Sequence, residues 1–216
     1  MTTCYTHSRC QSLKTKTKMD TKEIAEIYNQ TFGGLTLFYR DTTLSENLVS
    51  KYKIGQILME RGFTDMSYKG GGITANCRYL IASAFGKDVS SIMPDTIEFG
   101  HTMLGSGAFF KVLDIYKIGG KSQIILLNIP ENVAEFFSKA TSSVENDIVL
   151  KARESFDSKI NAEPIAELQK KEWKDKTEFP IGMDENGVFF HGMKNTASSE
   201  TKNDQSKENK SWWKFW

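Results

Sequence analysis

Residues 108–129 read AFFKVLDIYKIGGKSQIILLNI, and the fold is decoded outward from them. Two apolar runs flank Gly119-Gly120. A two-residue glycine loop suits a tight hairpin of the primed type, in which both central residues take positive φ. Counting outward from the loop pairs Ile118 with Lys121, Tyr116 with Gln123, Asp114 with Ile125 and Val112 with Leu127.

The flanking sequence supplies more strands. Ile73, Ala75, Cys77, Tyr79 and Ile81 alternate with Thr74, Asn76 and Arg78, predicting a strand over 73–85. Beyond Tyr79 both faces turn apolar, which places its end in the middle of a sheet. Further strands are expected over 35–40 and 96–104. Helices are expected over 20–32, capped by Asp20, and over 43–61, where Thr43 and Glu46 have capping-box spacing. In the latter, Leu44, Leu48, Tyr52, Gly55 and Met59 recur at intervals of four and three, and Gly62 supplies the exit. Pro130 opens a helix carrying Val133, Phe136, Phe137 and Ala140 on one side. Others follow at 143–160 and from Pro164 to Trp173, and 180–192 reads as a small hairpin or loop. The class is α+β, a mostly antiparallel meander with a Gly-Gly hairpin, packed by helices on one face.

Charge divides the chain of 216 residues, whose net charge is +1. Residues 1–18 carry four Lys/Arg and no acid, and residues 194–216 carry five Lys against three acids. The part between is acidic. The expected organisation is a disordered basic extension (1–19), one domain (20–193), a disordered polar linker (194–210) and an aromatic tip (211–216). An acidic domain without a basic stripe argues against nucleic-acid binding. The longest dense apolar run, Ile124 to Ile129, is too short to cross a bilayer, and no charged stretch leads into an apolar run at the start. Met1 and Met19 both remain available as the start. The three cysteines, Cys4, Cys10 and Cys77, form no framework and suggest a reducing compartment. The expected location is cytoplasmic, with peripheral membrane contact through the tip as an option. Cys4, His7 and Cys10 lack a fourth ligand and a scaffold, so neither a metal nor a cofactor is expected.

Three polar residues stand in apolar company. Asp114 shares a strand face with Phe110, Val112 and Tyr116, and a carboxylate there must be paired or protonated. His101 alternates with Ile97, Phe99 and Met103. A histidine beside an acid, with its tautomer fixed, can act as a general base. The possible partners of Asp114 are Arg78, His101 and Arg153. Against these stand structural readings: a buried ion pair for Asp114 and a satisfied core histidine for His101. Cys77 in mid-strand reads as small apolar packing rather than as a nucleophile. Gly70-Gly71-Gly72 lacks both the Walker and the dinucleotide spacing and reads as a flexible loop. His191 reads as a rim residue.

Three of the four tryptophans, Trp212, Trp213 and Trp216, end the sequence with Phe215 beside them. Aromatic side chains outside a core are usual anchors of protein contacts and of membrane interfaces. The expected function is therefore a non-catalytic protein-interaction or adaptor module with a docking tip and a protein partner. Its alternative is a small-molecule-binding protein or hydrolytic enzyme using a pocket around Arg78, His101 and Asp114.

Overall fold

The computed structural model describes residues 20–139 and 141–191. Eight strands form one mixed sheet: β1 (Thr36–Thr42), β2 (Ile57–Met59), β3 (Thr64–Ser67), β4 (Cys77–Ser83), β5 (Lys87–Asp88), β6 (His101–Leu104), β7 (Phe109–Ile118) and β8 (Lys121–Ile129). Their order across the sheet is β2-β7-β8-β4-β1-β3-β6-β5. β4 and β8 run parallel and the remaining pairs antiparallel. The expected meander is corrected on this point. All seven residues of β4 are buried, so both of its flanks are available for pairing, and it takes β8 on one side and β1 on the other.

β7 and β8 pair Ile118 with Lys121, Tyr116 with Gln123 and Asp114 with Ile125, and Gly119 and Gly120 both have positive φ. The register then shifts between Asp114 and Val112, so Val112 faces Leu126 rather than Leu127. The extra residue is Leu113, a bulge that a count from the loop does not detect.

The helices are α1 (Thr21–Phe32), α2 (Glu46–Lys51), α3 (Ala134–Lys139), α4 (Ser143–Lys159) and α5 (Lys171–Thr177). Asp20 and Glu23 close a reciprocal capping box on α1. The long helix expected over 43–61 is corrected: α2 has six residues, is capped by Ser45 rather than Thr43, and gives way to β2. Gly55 at φ +82° ends any helical course, and pairing of Ile57–Met59 with β7 outweighs the local spacing. The strand expected over 96–104 begins only at His101, because Pro94 opens a 3-10 helix over Pro94–Phe99.

Both faces of the sheet are buried. On one, Leu80, Ala82, Ile125 and Leu127 pack with Ile27 of α1, Phe137 of α3 and Ile148 and Ala152 of α4. On the other, Phe38, Tyr79, Ile81, Val112 and Leu126 pack with Val49 of α2 and with Ile181 and Met183 of the final segment. Fully burying an aliphatic side chain stabilises by about 1.5–3 kcal/mol, so the central strands β4 and β8 hold the two layers together. No described helix is long and apolar enough to cross a membrane.

Candidate functional site

The three polar residues of the sequence are not brought together. Asp114 on β7 and His101 on β6 have four strands between them, on the order of 24 Å at the usual strand spacing. The expected pocket around Arg78, His101 and Asp114 is therefore corrected: each of the three belongs to a different pair. Arg78 is buried and donates from Nε and Nη2 to Asp41 at 2.6 and 2.8 Å. Its Nη1 and Nη2 also reach the carbonyls of Gly71 and Gly72 at 2.9 and 3.0 Å. The glycine loop thus turns oxygens, not N–H groups, toward the neighbouring charge, and a Cβ at Gly70 would meet the Tyr39 ring at 2.6 Å. Asp114 accepts two bonds from Arg153, at 2.7 and 2.8 Å, and this pairing raises the Arg153 pKa. Burial pushes the Cys77 thiol up to about 12, so it is protonated at neutral pH and is no nucleophile. His191 stands edge-on to Phe109 at 5.4 Å. Cys4, His7, Cys10, Trp212, Trp213, Phe215 and Trp216 lie outside the described residues.

The sheet itself marks another place. β1 pairs with β4 along seven residues but with β3 only at Tyr39–Ser67. Past that point β1 and β3 part, and Arg40 sits at the opening. Its side chain is buried, because Phe38, Arg40 and Thr42 occupy the inward phase of β1. One guanidinium nitrogen, Nη1, donates to the carbonyl of Asp65 at 3.2 Å; the other, Nη2, to that of Phe179 at 2.9 Å. The guanidinium therefore spans a gap where ladder bonds would otherwise run. Burial lowers its pKa, against the opposing pull of the Asp65 carboxylate. On β6, His101 Nε2 lies 2.7 Å from Asp65 Oδ1, and Trp173 of α5 meets the imidazole edge-on at 5.3 Å. Arg40 Nε, Thr64 Oγ1 and His101 Nδ1 are buried and have no hydrogen-bond partner among the described residues. Buried polar atoms are nearly always paired. Arg40 and Thr64 share the sheet face of Phe38 and Met66, whereas the register Tyr39–Ser67–His101 puts the imidazole on the opposite face. The bare groups at the opening itself are therefore those of Arg40 and Thr64.

A strap of the chain's own residues crosses the opening. Thr42 Oγ1 donates to the Glu178 carbonyl at 2.7 Å, and Arg40 holds that of Phe179. Ile181 is bound through its N–H by Tyr79 and through its carbonyl by Tyr52, and the Gly182 N–H donates to Glu60. These five bonds come from side chains of the sheet and of its loops, not from a ladder. Beside the strap a cleft of about 560 Å³ is open, lined by Asp41, Thr42, Thr74, Lys174, Thr177 and Glu178 among others. That volume lies in the range of small-molecule sites, about 300–1,000 Å³. Alternation along β1 could have flagged Arg40, since a charge in the inward phase is unusual. Nothing in the sequence places Asp65 beside His101.

The sequence matches no protein-family model, and no curated protein matches it. Its fold is similar to several solved structures. One is the type III effector XopAI of Xanthomonas axonopodis pv. citri, at 17% identity and a TM-score of 0.38, covering 47% of this chain and 46% of that one. Another is the ADP-ribosyltransferase HopU1 of Pseudomonas syringae pv. tomato, at 17% and 0.39, covering 44% and 45%. A third is exoenzyme S of Pseudomonas aeruginosa, solved with human 14-3-3 protein beta and carba-NAD, at 14% and 0.39, covering 61% and 69%. The chain spans just under half the length of the first two. These values assign no residue role and no reaction to this chain. The expectation of a non-catalytic interaction or adaptor module is corrected here, since the structures named are an effector, an ADP-ribosyltransferase and an exoenzyme.

Proposed function

We propose that the crevice between β1 and β3 is a binding and group-transfer site for a pyrophosphate-bearing nucleotide. The observation that carries the reading is the buried Arg40 at the opening of the sheet, with Nε bare and Nη2 held only by the exposed Phe179 turn. A guanidinium is the side chain best suited to a phosphate oxygen pair, because its planar fork makes two parallel charge-assisted bonds. The neighbouring cleft is lined by Thr42, Thr74 and Thr177, whose hydroxyls donate to Glu178, Asp41 and Trp173, and by Lys174, Glu178 and Asp41. As the crevice stands, the strap fills the space next to Arg40. Binding replaces the two bonds that Arg40 and Thr42 make to the strap carbonyls. Their loss costs about 2–4 kcal/mol, a sum that a phosphate pair on Arg40 can offset.

The reaction we infer is ADP-ribosyl transfer, with nicotinamide adenine dinucleotide as the substrate. An incoming nucleophile bonds to the ribose carbon as the bond to nicotinamide breaks, nicotinamide leaves with its electron pair, and the nucleophile gives up its proton. Arg40 is the group that holds the diphosphate. The nucleophile's proton passes to water, which reaches the site through the open cleft.

Calorimetry with nicotinamide adenine dinucleotide, ADP-ribose and pyrophosphate tests binding, and release of nicotinamide tests turnover. Wild-type protein is expected to bind the two nucleotides, and Arg40→Gln to weaken both by roughly 10- to 100-fold, the worth of one charge-assisted contact. Wild-type protein that binds neither nucleotide at millimolar concentration, or a folded Arg40→Gln that binds as wild type does, would sink the reading.

A further inference from the structure

We propose that the groove between α1 and α3 is the seat of the chain's own aromatic tip, residues 212–216. The inference is independent of the crevice, which lies elsewhere on the sheet.

α1 carries one apolar stripe of Ile24, Ile27, Tyr28 and Phe32. Only Ile27 is buried, while Ile24 and Tyr28 are 43% and 47% exposed. Opposite the stripe stand Phe136 and Phe137 of α3, and the two helices enclose a groove of about 190 Å³ that ends at Thr141, Ser142 and Glu145. Its wall is largely aromatic: Tyr28 lies against Phe32, Phe32 against Phe137, and Phe137 against Phe136, with ring centroids 4.9, 6.0 and 5.6 Å apart. The volume is below the range of about 300–1,000 Å³ for small-molecule sites, and it suits one or two large side chains. Such a wall selects a ring, because rings meet edge-to-face at these spacings. The hydroxyls and carboxylate at the groove's end can accept from an indole N–H.

The course of the chain brings the occupant to this place. The described residues end at His191, whose ring stands against Phe109 of β7. Phe109 packs on the same face of the sheet as Phe136 and Phe32. Two residues further along β7, Lys111 reaches Glu145 at the groove's end at 2.8 Å. Along the strand that step is about 7 Å, so the exit point and the groove are near neighbours. From Gly192 to Ser211 the chain has twenty residues of tether. Twenty residues can span at most about 70 Å, which covers the separation. Charge agrees. Lys210 and Lys214 bracket the tryptophans, and α1 offers the exposed Glu23 and Glu26 beside the stripe.

The test is fluorine NMR of the full chain carrying fluorotryptophan. Its four signals report Trp173 and the three tip residues, assigned by single Trp→Phe variants of the tip. At least one tip signal is expected to lie away from its position in a synthetic peptide of residues 205–216, and to be unchanged over a 20-fold dilution. In the double variant Ile24→Lys/Tyr28→Ser, which alters two exposed positions, the displaced signal should return to the peptide position while that of Trp173 stays in place. Three tip signals at the peptide position in the wild-type chain would overturn the proposal. So would displaced signals indifferent to the groove variant, which would put the tip on another surface. A displacement that fades on dilution would assign the groove to a second copy, and one that appears only with lipid vesicles would assign the tip to a membrane.

Discussion

Replacing Tyr79 by phenylalanine should loosen the strap by a predictable amount. Three groups form a closed ring of hydrogen bonds. Tyr52 Oη lies 2.6 Å from Tyr79 Oη and 2.7 Å from the Ile181 carbonyl, and the Ile181 N–H reaches Tyr79 Oη at 3.2 Å. Counting protons fixes its direction. Tyr52 has one hydroxyl hydrogen, and the Ile181 carbonyl needs it. Tyr79 must then donate to Tyr52 while it accepts from the Ile181 N–H. All three members are buried, and burial raises the pKa of both phenols, so the ring is protonated at neutral pH. Tyr79→Phe removes the acceptor of a buried backbone N–H and one hydroxyl bond besides. An orphaned buried donor costs about 1–3 kcal/mol and the second bond about 1, for a loss of about 2–4 kcal/mol. Tyr52→Phe orphans a carbonyl, which tolerates it better than an N–H does, and should cost about 1–2 kcal/mol. The double variant should cost less than the sum, because both singles break the shared bond. Urea unfolding at pH 7 measures all four corners of the cycle. For a protein of this size each kcal/mol corresponds to about 2–4 °C in melting temperature. A loss below about 0.5 kcal/mol in Tyr79→Phe, or a larger loss in Tyr52→Phe than in Tyr79→Phe, would refute the assigned ring.

Other outcomes follow from the same geometry. Asp41→Asn breaks the buried pair with Arg78 while leaving that guanidinium in place. It should destabilise by about 3–5 kcal/mol in chemical unfolding, and Arg153→Ala, which leaves the buried Asp114 carboxylate without its cation, should cost a similar amount. Gly72→Ala puts a Cβ 2.0 Å from the Ala162 carbonyl oxygen. That contact forces the backbone to shift, and overpacking of this kind costs about 1–3 kcal/mol. Cys77 has a thiol raised from 9.0 to about 12. Its contribution to stability is full below pH 9.0 and falls as pH rises toward 12, because the unfolded chain loses that proton first. In a Cys4→Ser/Cys10→Ser background, unfolding free energy should therefore decline across this window by up to about 1.4 kcal/mol per pH unit. Cys77→Ala should flatten the decline, and an equal slope in both would count against the buried-thiol assignment.

The hairpin and the capped α1 were legible because their signals are local: a glycine pair fixes a turn, and an acid at the right spacing fixes a helix start. What was not legible depends on partners distant in sequence. Leu44, Leu48, Tyr52 and Met59 satisfy a helical period, yet Ile57–Met59 goes to β7 because an open strand edge was there to be paired. The parallel β4–β8 pair is equally silent, since β4 reads as doubly buried whichever direction its neighbour runs. Asp114 in its apolar run did announce a partner, and of the three candidates Arg78, His101 and Arg153 it is Arg153 on α4 that takes it. Arg78 and Asp114 therefore proved to be satisfied pairs, His101 is paired to Asp65 at one ring nitrogen, and the less prominent Arg40 and Asp65 came to flank the opening.

That inversion has a physical basis. A residue conspicuous in sequence is a charge in an apolar run, and such a charge survives burial only when its partners fully satisfy it. Arg78 and Asp114 meet that condition through two-point contacts to a single acid or base. A binding group must instead keep hydrogen-bonding capacity in reserve, which is tolerable only where the structure is already broken. β1 and β3 supply such a break, held by one bridge and by a guanidinium on two carbonyls. Of those carbonyls, that of Asp65 belongs to the rigid β3–β6 pair, whereas that of Phe179 belongs to an exposed turn held by Thr42 at Glu178 and by Tyr52 and Tyr79 at Ile181. The bond to Phe179 is thus the one that can exchange for a ligand without unpairing a strand. The asymmetry also fixes the direction from which a ligand approaches Arg40: from the strap side, next to the open cleft of Thr42 and Thr177.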